Sequence, residues 1–344
     1  MKAIVYHRYG SPVDILRCEE MERPSPGGNE VLIKVCAASV NPLDCGQLNG
    51  IPYFFRLVFG MQEPSEKQPG RPGVDLAGVV EAAGKNVTQF RPGDHVFGVC
   101  VDDPRAPGTK VWMHRQGSFA EYVCAPEAAF AEKPANVTFE EVAAAPIAAL
   151  TALQGLRDKG KIQRGQKVVV NGASGGVGTF AVQMAKAFGT EVTGVCSTKN
   201  VEMVRSIGAD HVIDYTHQDF TADGRLYDLI LDCAGGHSLS EYTRVLNPTG
   251  VCVMVGEMTG RGMMGIMGRL MGALLLSKFG SRKFITFLAR PVQEDLVTIS
   301  KLMRDEKVKP VIDKRYPMSE AAQAIQYVAE KHARGKVVVK MGGG

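Results

Sequence analysis

Residues 167–178 read Lys-Val-Val-Val-Asn-Gly-Ala-Ser-Gly-Gly-Val-Gly. Gly172, Gly175 and Gly178 recur every third residue, directly after a short apolar run. Val177, Ala181, Met184 and Phe188 then recur at helical spacing. Glycines between a strand and a helix permit a tight turn, close approach of backbone to a pyrophosphate, and close packing of helix on strand. The helix N-terminus adds unpaired N–H groups and partial positive charge. The pattern in this setting predicts a dinucleotide site. A carboxylate about 20 residues further on would grip an NAD ribose, but here the chain reads Cys196-Ser-Thr-Lys-Asn200. A hydroxyl and a lysine suit the 2′-phosphate of NADPH, which a carboxylate would repel. Lys199 also has a plain reading as a solvated residue at a helix start. Tyr215 either flanks the adenine end or caps the sheet edge. NADPH is favoured over NADH.

The elements that must position this loop follow from the pattern around it. From about residue 135 strands and helices alternate: strands at 167–171, 191–196, 211–213, 229–232, 251–255 and 284–288, with helices at 200–207 and 239–246 between them. Such alternation predicts a parallel sheet covered on both faces. Thr138-Phe-Glu-Glu141 is a capping box that opens a helix. Residues 1–124 instead carry short β-rich runs split by Pro and Gly clusters, which predicts a compact β domain. The tail carries helices at 294–305 and 320–333, the second capped by Ser319, and a closing strand at 336–340. The reading is thus an α/β chain: a β domain over 1–124 and 291–341, and a doubly wound dinucleotide-binding domain over 125–290.

Composition agrees. The 344 residues suit two domains. A net charge of +4 is too small to argue for nucleic acid. Eight cysteines form no C-x-x-C pair and read as small buried hydrophobes in a reducing compartment. The first residues read as a strand without a signal-peptide core. The apolar run 270–277 is far short of the roughly 20 residues that cross a bilayer. The expectation is a cytoplasmic protein with no transmembrane segment.

Asn171-Gly-Ala-Ser-Gly-Gly-Val-Gly178, Ala144-Ala-Pro-Ile-Ala-Ala-Leu-Thr151 and Gly208-Ala-Asp-His-Val-Ile-Asp-Tyr215 resemble the medium-chain dehydrogenase/reductase superfamily. Ala38-Ser-Val-Asn-Pro-Leu-Asp44, Gly73-Val-Asp-Leu-Ala-Gly78, Gly117-Ser-Phe-Ala-Glu-Tyr122 and Gly335-Lys-Val-Val338 extend the likeness over almost the whole chain. Within the superfamily the chain is similar to the zinc-free quinone oxidoreductase branch, which includes reticulon-4-interacting-protein-like oxidoreductases. The resemblance implies a GroES-like β domain, a Rossmann domain and a return of the chain to the first domain. It implies that Ser174, Gly175, Gly176, Val177 and Gly178 face the pyrophosphate, with Ser197, Lys199 and Tyr215 at the 2′-phosphate. Asn41, Thr151 and Lys336 would lie near the nicotinamide. It also implies a homodimer paired through the Rossmann sheet edge.

Zinc-dependent members of the superfamily bind metal through a Cys and a His-Glu pair, where this chain has Asn41-Pro-Leu-Asp44 and Gly73-Val-Asp75. Cys45 and Cys100 lack a third ligand at sensible spacing, and seven scattered histidines, His114 included, supply none. No metal is expected. Without one, the favoured acceptors are already electron-poor: quinones and α,β-unsaturated carbonyls. Asn41 is the candidate donor to acceptor or ribose. Tyr53 is the candidate proton donor or stacking residue, with a place in the pocket wall as its plain reading. Two alternatives stand beside NADPH-dependent quinone or enone reduction. One is an enoyl-thioester reductase, with six basic residues over 258–293 meeting a phosphorylated carrier. The other is an NADPH-binding interaction protein with little turnover, its Met-Gly-Leu stretch at 262–276 meeting a partner or a membrane surface. A helical lid or dimer-edge insertion with a solvated basic face is the preferred reading of 258–293.

Overall fold

The computed structural model describes residues 1–50, 63–101, 117–255, 263–331 and 333–341. It divides into two compact units, one of Met1–Ile147, Arg290–Glu306 and Pro310–Gly344, the other of Ala148–Ala289 and Lys307–Lys309. Strands are numbered along the chain.

In the first unit, β3 (Glu30–Val40) is the organising strand. It pairs antiparallel with β4 (Asp75–Ala83), β6 (Tyr122–Pro126) and β15 (Lys336–Lys340). Further pairing adds β5 (His95–Val99), β7 (Phe130–Glu132) and β14 (Ile312–Pro317) to the same sheet, and β1 (Lys2–Val5) pairs with β2 (Arg17–Glu20) apart from it. The β3–β4 register places Ser39 opposite Asp75, and the β15–β3 register places Val337 opposite Val40. The end of β3 and the starts of β4 and β15 therefore converge. β7 pairs with β5, and the helix Phe139–Ala143 packs on β3 and β4. The segment after 124 is thus held in the first unit up to Ile147, whereas the sequence reading breaks the chain at 124/125. Sheet pairing of a three-residue strand is too short a signal to see in sequence.

The second unit holds a six-stranded sheet in the order β10-β9-β8-β11-β12-β13. The strands are β8 (Lys167–Asn171), β9 (Glu191–Cys196), β10 (His211–Asp214), β11 (Tyr227–Asp232), β12 (Leu246–Met254) and β13 (Lys283–Thr286), and every pairing is parallel. Val169, Val195, Ile230 and Cys252 join Phe220, Tyr242 and Phe284 in one buried cluster. Their neighbours Val168, Val170, Leu229 and Leu231 are buried too, and alternation sends these to the opposite face. Burial on both faces explains why these strands read as unbroken apolar runs. Strand order reverses between β8 and β11, so the loops after these two strands border the crevice where doubly wound sheets bind ligands, with the end of β9 next to it.

Local signals translate unevenly. Thr138 and Glu141 form the capping box reciprocally. Ser319 does not cap its helix: it lies in a 3₁₀ turn, Met318–Glu320, and Glu320 takes the position before Ala321–Ala329. The last parallel strand stops at Thr286, because its partner β12 ends at Met254, opposite that residue. Cys36 and Cys233 are half-buried and Cys18 exposed, while Cys45, Cys100, Cys124, Cys196 and Cys252 are buried.

Candidate active site

Candidate functional residues gather in one cluster in each unit. In the second unit, Asn171 closes β8 and donates to Asp232 Oδ1 at 2.8 Å and to the Gly235 carbonyl at 3.0 Å, tying the ends of β8 and β11 together. Gly172 then turns with φ +81°, a conformation that glycine adopts without strain. Its N–H and that of Ala173 both donate to the Val195 carbonyl of β9. The helix Gly176–Ala187 begins behind Gly175, which offers no side-chain cap. The first-turn N–H groups thus stand without an intrahelical acceptor, as an anion site requires. A Cβ on Gly178 would lie 2.1 Å from the Gly172 carbonyl oxygen, so this glycine is what lets helix and loop touch. At Gly175 a Cβ would meet only that oxygen, at 3.4 Å, leaving the outer side of the loop open. Ser174, Gly175, Gly176 and Val177 are half-buried and Gly178 is buried.

At the end of β9, Ser197 opens a 3₁₀ turn, Thr198–Asn200, that presents an exposed Lys199. Tyr215 donates its N–H to the Cys196 carbonyl at 3.0 Å, and its ring is 62% exposed, beside that turn. The neighbouring Asp214 is held below its usual range by the Thr198 and Thr216 hydroxyls, which occupy its carboxylate. Asn200, which sequence reasoning passed over as a helix start, is buried and donates from Nδ2 to both Ser174 Oγ and Ser197 Oγ, each at 3.1 Å. It joins the glycine loop to the end of β9. The signal was present in sequence as the amide directly after Lys199. Thr151, half-buried in the helix Pro146–Gln154, also belongs to this unit.

In the first unit, Asn41, Asp44, Asp75 and Lys336 form a buried polar cluster. Asp75 Oδ2 accepts from Ser39 Oγ at 2.8 Å and Asn41 Nδ2 at 2.9 Å, and lies 3.4 Å from the Lys336 ammonium; its Oδ1 accepts from the Ile147 N–H at 3.0 Å. Lys336 donates to Asn41 Oδ1 at 2.7 Å and to the Val40 carbonyl at 3.2 Å. Both ends of the Asn41 carboxamide are therefore engaged. Asp44 accepts from the Asn41 N–H at 2.7 Å and the Gly73 N–H at 3.0 Å, which fastens the two loops. Burial pushes the Asp44 carboxyl up to about 7, against the pull of those N–H donors. Asp75 entered the sequence reading only within the Gly73–Gly78 stretch that carries the resemblance and as a position lacking a metal ligand; its partners lie too far along the chain for spacing to reveal them. Tyr53 and His114 lie outside the described residues.

Comparison with known proteins gives this geometry a lineage. Residues 27–135 match the family described as Alcohol dehydrogenase GroES-like domain, and 207–339 match Zinc-binding dehydrogenase. The chain is 32% identical to the chloroplast envelope quinone oxidoreductase homolog of Arabidopsis thaliana, covering 99% of this chain and 98% of that one. It is 32% identical to the mitochondrial NAD(P)H oxidoreductase RTN4IP1 of Bos taurus, over 99% and 89% of the two chains. Among solved structures, the quinone oxidoreductase from Coxiella burnetii superposes with a TM-score of 0.82 at 30% identity, with 99% of each chain covered.

The zinc in one family name does not fit the residues present. Zinc sites are built from thiolates, imidazoles and carboxylates, whereas the first-unit cluster centres on a buried ammonium that would repel a dication. Cys45 beside it donates its thiol to the Asn41 and Ile325 carbonyls, and burial pushes that thiol up to about 12. Asp219, His237 and Glu241 approach one another elsewhere. There Asp219 closes a turn on Thr221 and Glu241 caps a helix through Ser238. Two-domain order, parallel-sheet topology, glycine loop and full-length likeness agree: the chain is an oxidoreductase that belongs to the medium-chain dehydrogenase/reductase superfamily, in its quinone oxidoreductase branch.

Proposed function

We propose that the protein is an NADPH-dependent, zinc-independent reductase of quinones or α,β-unsaturated carbonyls. The observation that carries the cofactor choice is the end of β9, where Ser197, Lys199 and the buried Asn200 stand in place of a ribose-binding carboxylate. Relatives named as quinone oxidoreductases, and a chloroplastic NADPH-dependent alkenal/one oxidoreductase of Arabidopsis thaliana at 32% identity, support the acceptor class. Bound NADPH would supply the hydride that reduces the acceptor. The chain's own part is to hold and orient. The backbone of Ser174, Gly175, Gly176, Val177 and Gly178 receives the pyrophosphate, with Ser197, Lys199 and Tyr215 at the 2′-phosphate. Thr151, Asn41 and Lys336 serve the nicotinamide end, Asn41 and Lys336 as a pre-oriented pair rather than as free donors. Preorganised polar groups cost no reorientation during reaction. Tyr53 is proposed to deliver the proton that completes reduction.

Among the described residues no helix is long and apolar enough to cross a membrane. We keep a homodimer in the proposal, because Met271, Leu274 and Leu275 lie exposed along one stripe of the helix Met263–Phe279, beside the outer strand β13. A helix apolar on this side as well as on the side facing the sheet calls for cover. A cytoplasmic location is kept on the reading of the mostly buried cysteines as small hydrophobes of a reducing compartment; fractionation of expressing cells tests it against the organelles named for the relatives.

The test follows NADPH and NADH oxidation by absorbance, with a quinone, a short enone and an enoyl thioester as acceptors and chelator present. NADPH-preferring turnover of quinone or enone, insensitive to chelator, is the expected result. Turnover of the thioester alone, or loss of activity to chelator, overturns the proposal.

A further inference from the structure

The Nδ2 group of Asn200 has two hydrogens, and both are used: one meets Ser174 Oγ and the other Ser197 Oγ. Each serine oxygen is therefore an acceptor in these bonds. A hydroxyl that accepts from an N–H donor cannot donate back to it, so both serine hydrogens are turned away from Asn200. Both serines are half-buried. The opposite setting of the amide would bury two N–H donors with no acceptor among the described residues. The observed setting leaves only the Asn200 carbonyl oxygen without a partner among the described residues, and orphaned carbonyls are tolerated better than orphaned N–H groups.

We infer that Asn200 is a specificity-determining positioning residue, which sets Ser174 and Ser197 as a pair of outward hydroxyl donors and so selects a phosphorylated over an unphosphorylated adenosine ribose. This deepens the NADPH reading and rests on it. A phosphate has only acceptors to offer to two donors, and its charge strengthens each bond. A ribose hydroxyl gains less from the same pair. Lys199, one residue before Asn200, adds an exposed cation beside them. Asn200 itself is buried and need not touch the cofactor; it acts through the two serines.

The substitution Asn200→Asp reverses the pattern. A carboxylate only accepts, so both serine hydrogens turn inward and their lone pairs face the cofactor. Dissociation constants for NADPH and NADH, read from nicotinamide fluorescence, and the ratio of kcat/KM for the two cofactors are measured for the wild type, N200D, S197A and the S174A/S197A pair with and without N200D. The expected result is a loss of NADPH preference of about tenfold to a hundredfold in N200D, the scale of a hydrogen bond to a charged group. S197A gives a smaller loss confined to NADPH, which keeps the inference testable should N200D fold poorly. In the S174A/S197A background the N200D effect shrinks, because the residues act as one unit. Equal weakening of both cofactors, or an undiminished N200D effect without the serines, overturns the inference while leaving the NADPH reading intact. A wild type that binds NADH as tightly as NADPH overturns the reading itself, and the inference with it.

Discussion

The Lys336 ammonium lies 2.7 Å from Asn41 Oδ1, although 295 positions separate the two residues. Asn41 passes the interaction on, donating to Asp75, which itself sits 3.4 Å from Lys336. The triangle is closed and buried, so removing one corner leaves a charge without compensation. Lys336→Met and Asp75→Ala are each expected to cost on the order of 3–5 kcal/mol in stability, measured by denaturant unfolding. The double variant loses less than the sum. Strict additivity would show that the two groups do not interact.

Asp44 gives the fold a pH dependence of definite sign. In the unfolded chain its carboxyl ionises near 3.8, and in the folded chain at about 7, because burial opposes the charge. Ionisation therefore favours unfolding. The contribution of this group to stability is fully present below pH 4, declines from about pH 4 to 7 and is gone above. Asp44→Asn is expected to be less stable at low pH, since an amide cannot accept from both the Asn41 and Gly73 N–H groups, yet to show a flatter dependence between those values. Melting temperatures of the two proteins across pH 4–8 check this, and parallel curves refute it.

Gly175 and Gly178 should fail in different ways when replaced by alanine. A methyl on Gly178 collides with the Gly172 backbone at 2.1 Å, so helix and loop must separate. A stability loss of about 1–3 kcal/mol is expected together with loss of NADPH binding. Gly175 has an ordinary extended backbone, φ −83° and ψ 175°, and open space beside it. Gly175→Ala should keep its melting temperature and still weaken NADPH. A Gly175→Ala protein with unaltered NADPH affinity would remove the pyrophosphate from that position.

Lys199 is exposed, so its effect on a 2′-phosphate should be charge-driven and screened by salt. Lys199→Glu is expected to raise the KM for NADPH by about tenfold at low salt, by less at high salt, and to leave that for NADH nearly unchanged. A similar rise for both cofactors would place Lys199 outside the phosphate site.

Leu274 and Leu275 are 65% and 51% exposed on the helix beside β13. Leu274→Glu/Leu275→Glu should convert a dimer to a monomer in sedimentation velocity while preserving the circular dichroism of the fold. A wild type that sediments as a monomer at all concentrations overturns the dimer.

Local chemistry is legible in the residues themselves. The glycine loop needs a strand, three glycines and a helix in immediate succession, and the Thr138–Glu141 box needs only four residues. Parallel strands buried on both faces announce themselves as apolar runs, as at 168–170. Where one turn hands over to another, as at Ser319, two local solutions compete and the residue type alone does not choose between them.

The residues by themselves determined the two-domain α/β class, the glycine loop between strand and helix and the absence of a carboxylate directly after β9, because each is a short-range pattern of backbone freedom, hydrophobic period or charge. Only the tertiary structure decided that Lys336 meets Asn41 and Asp75, that Asp44 is desolvated enough to hold its proton near neutrality, and which way the Ser174 and Ser197 hydroxyls are set. Those properties depend on which distant atoms share a buried volume, since hydrogen-bond direction and desolvation are set by neighbours in space and not by neighbours along the chain.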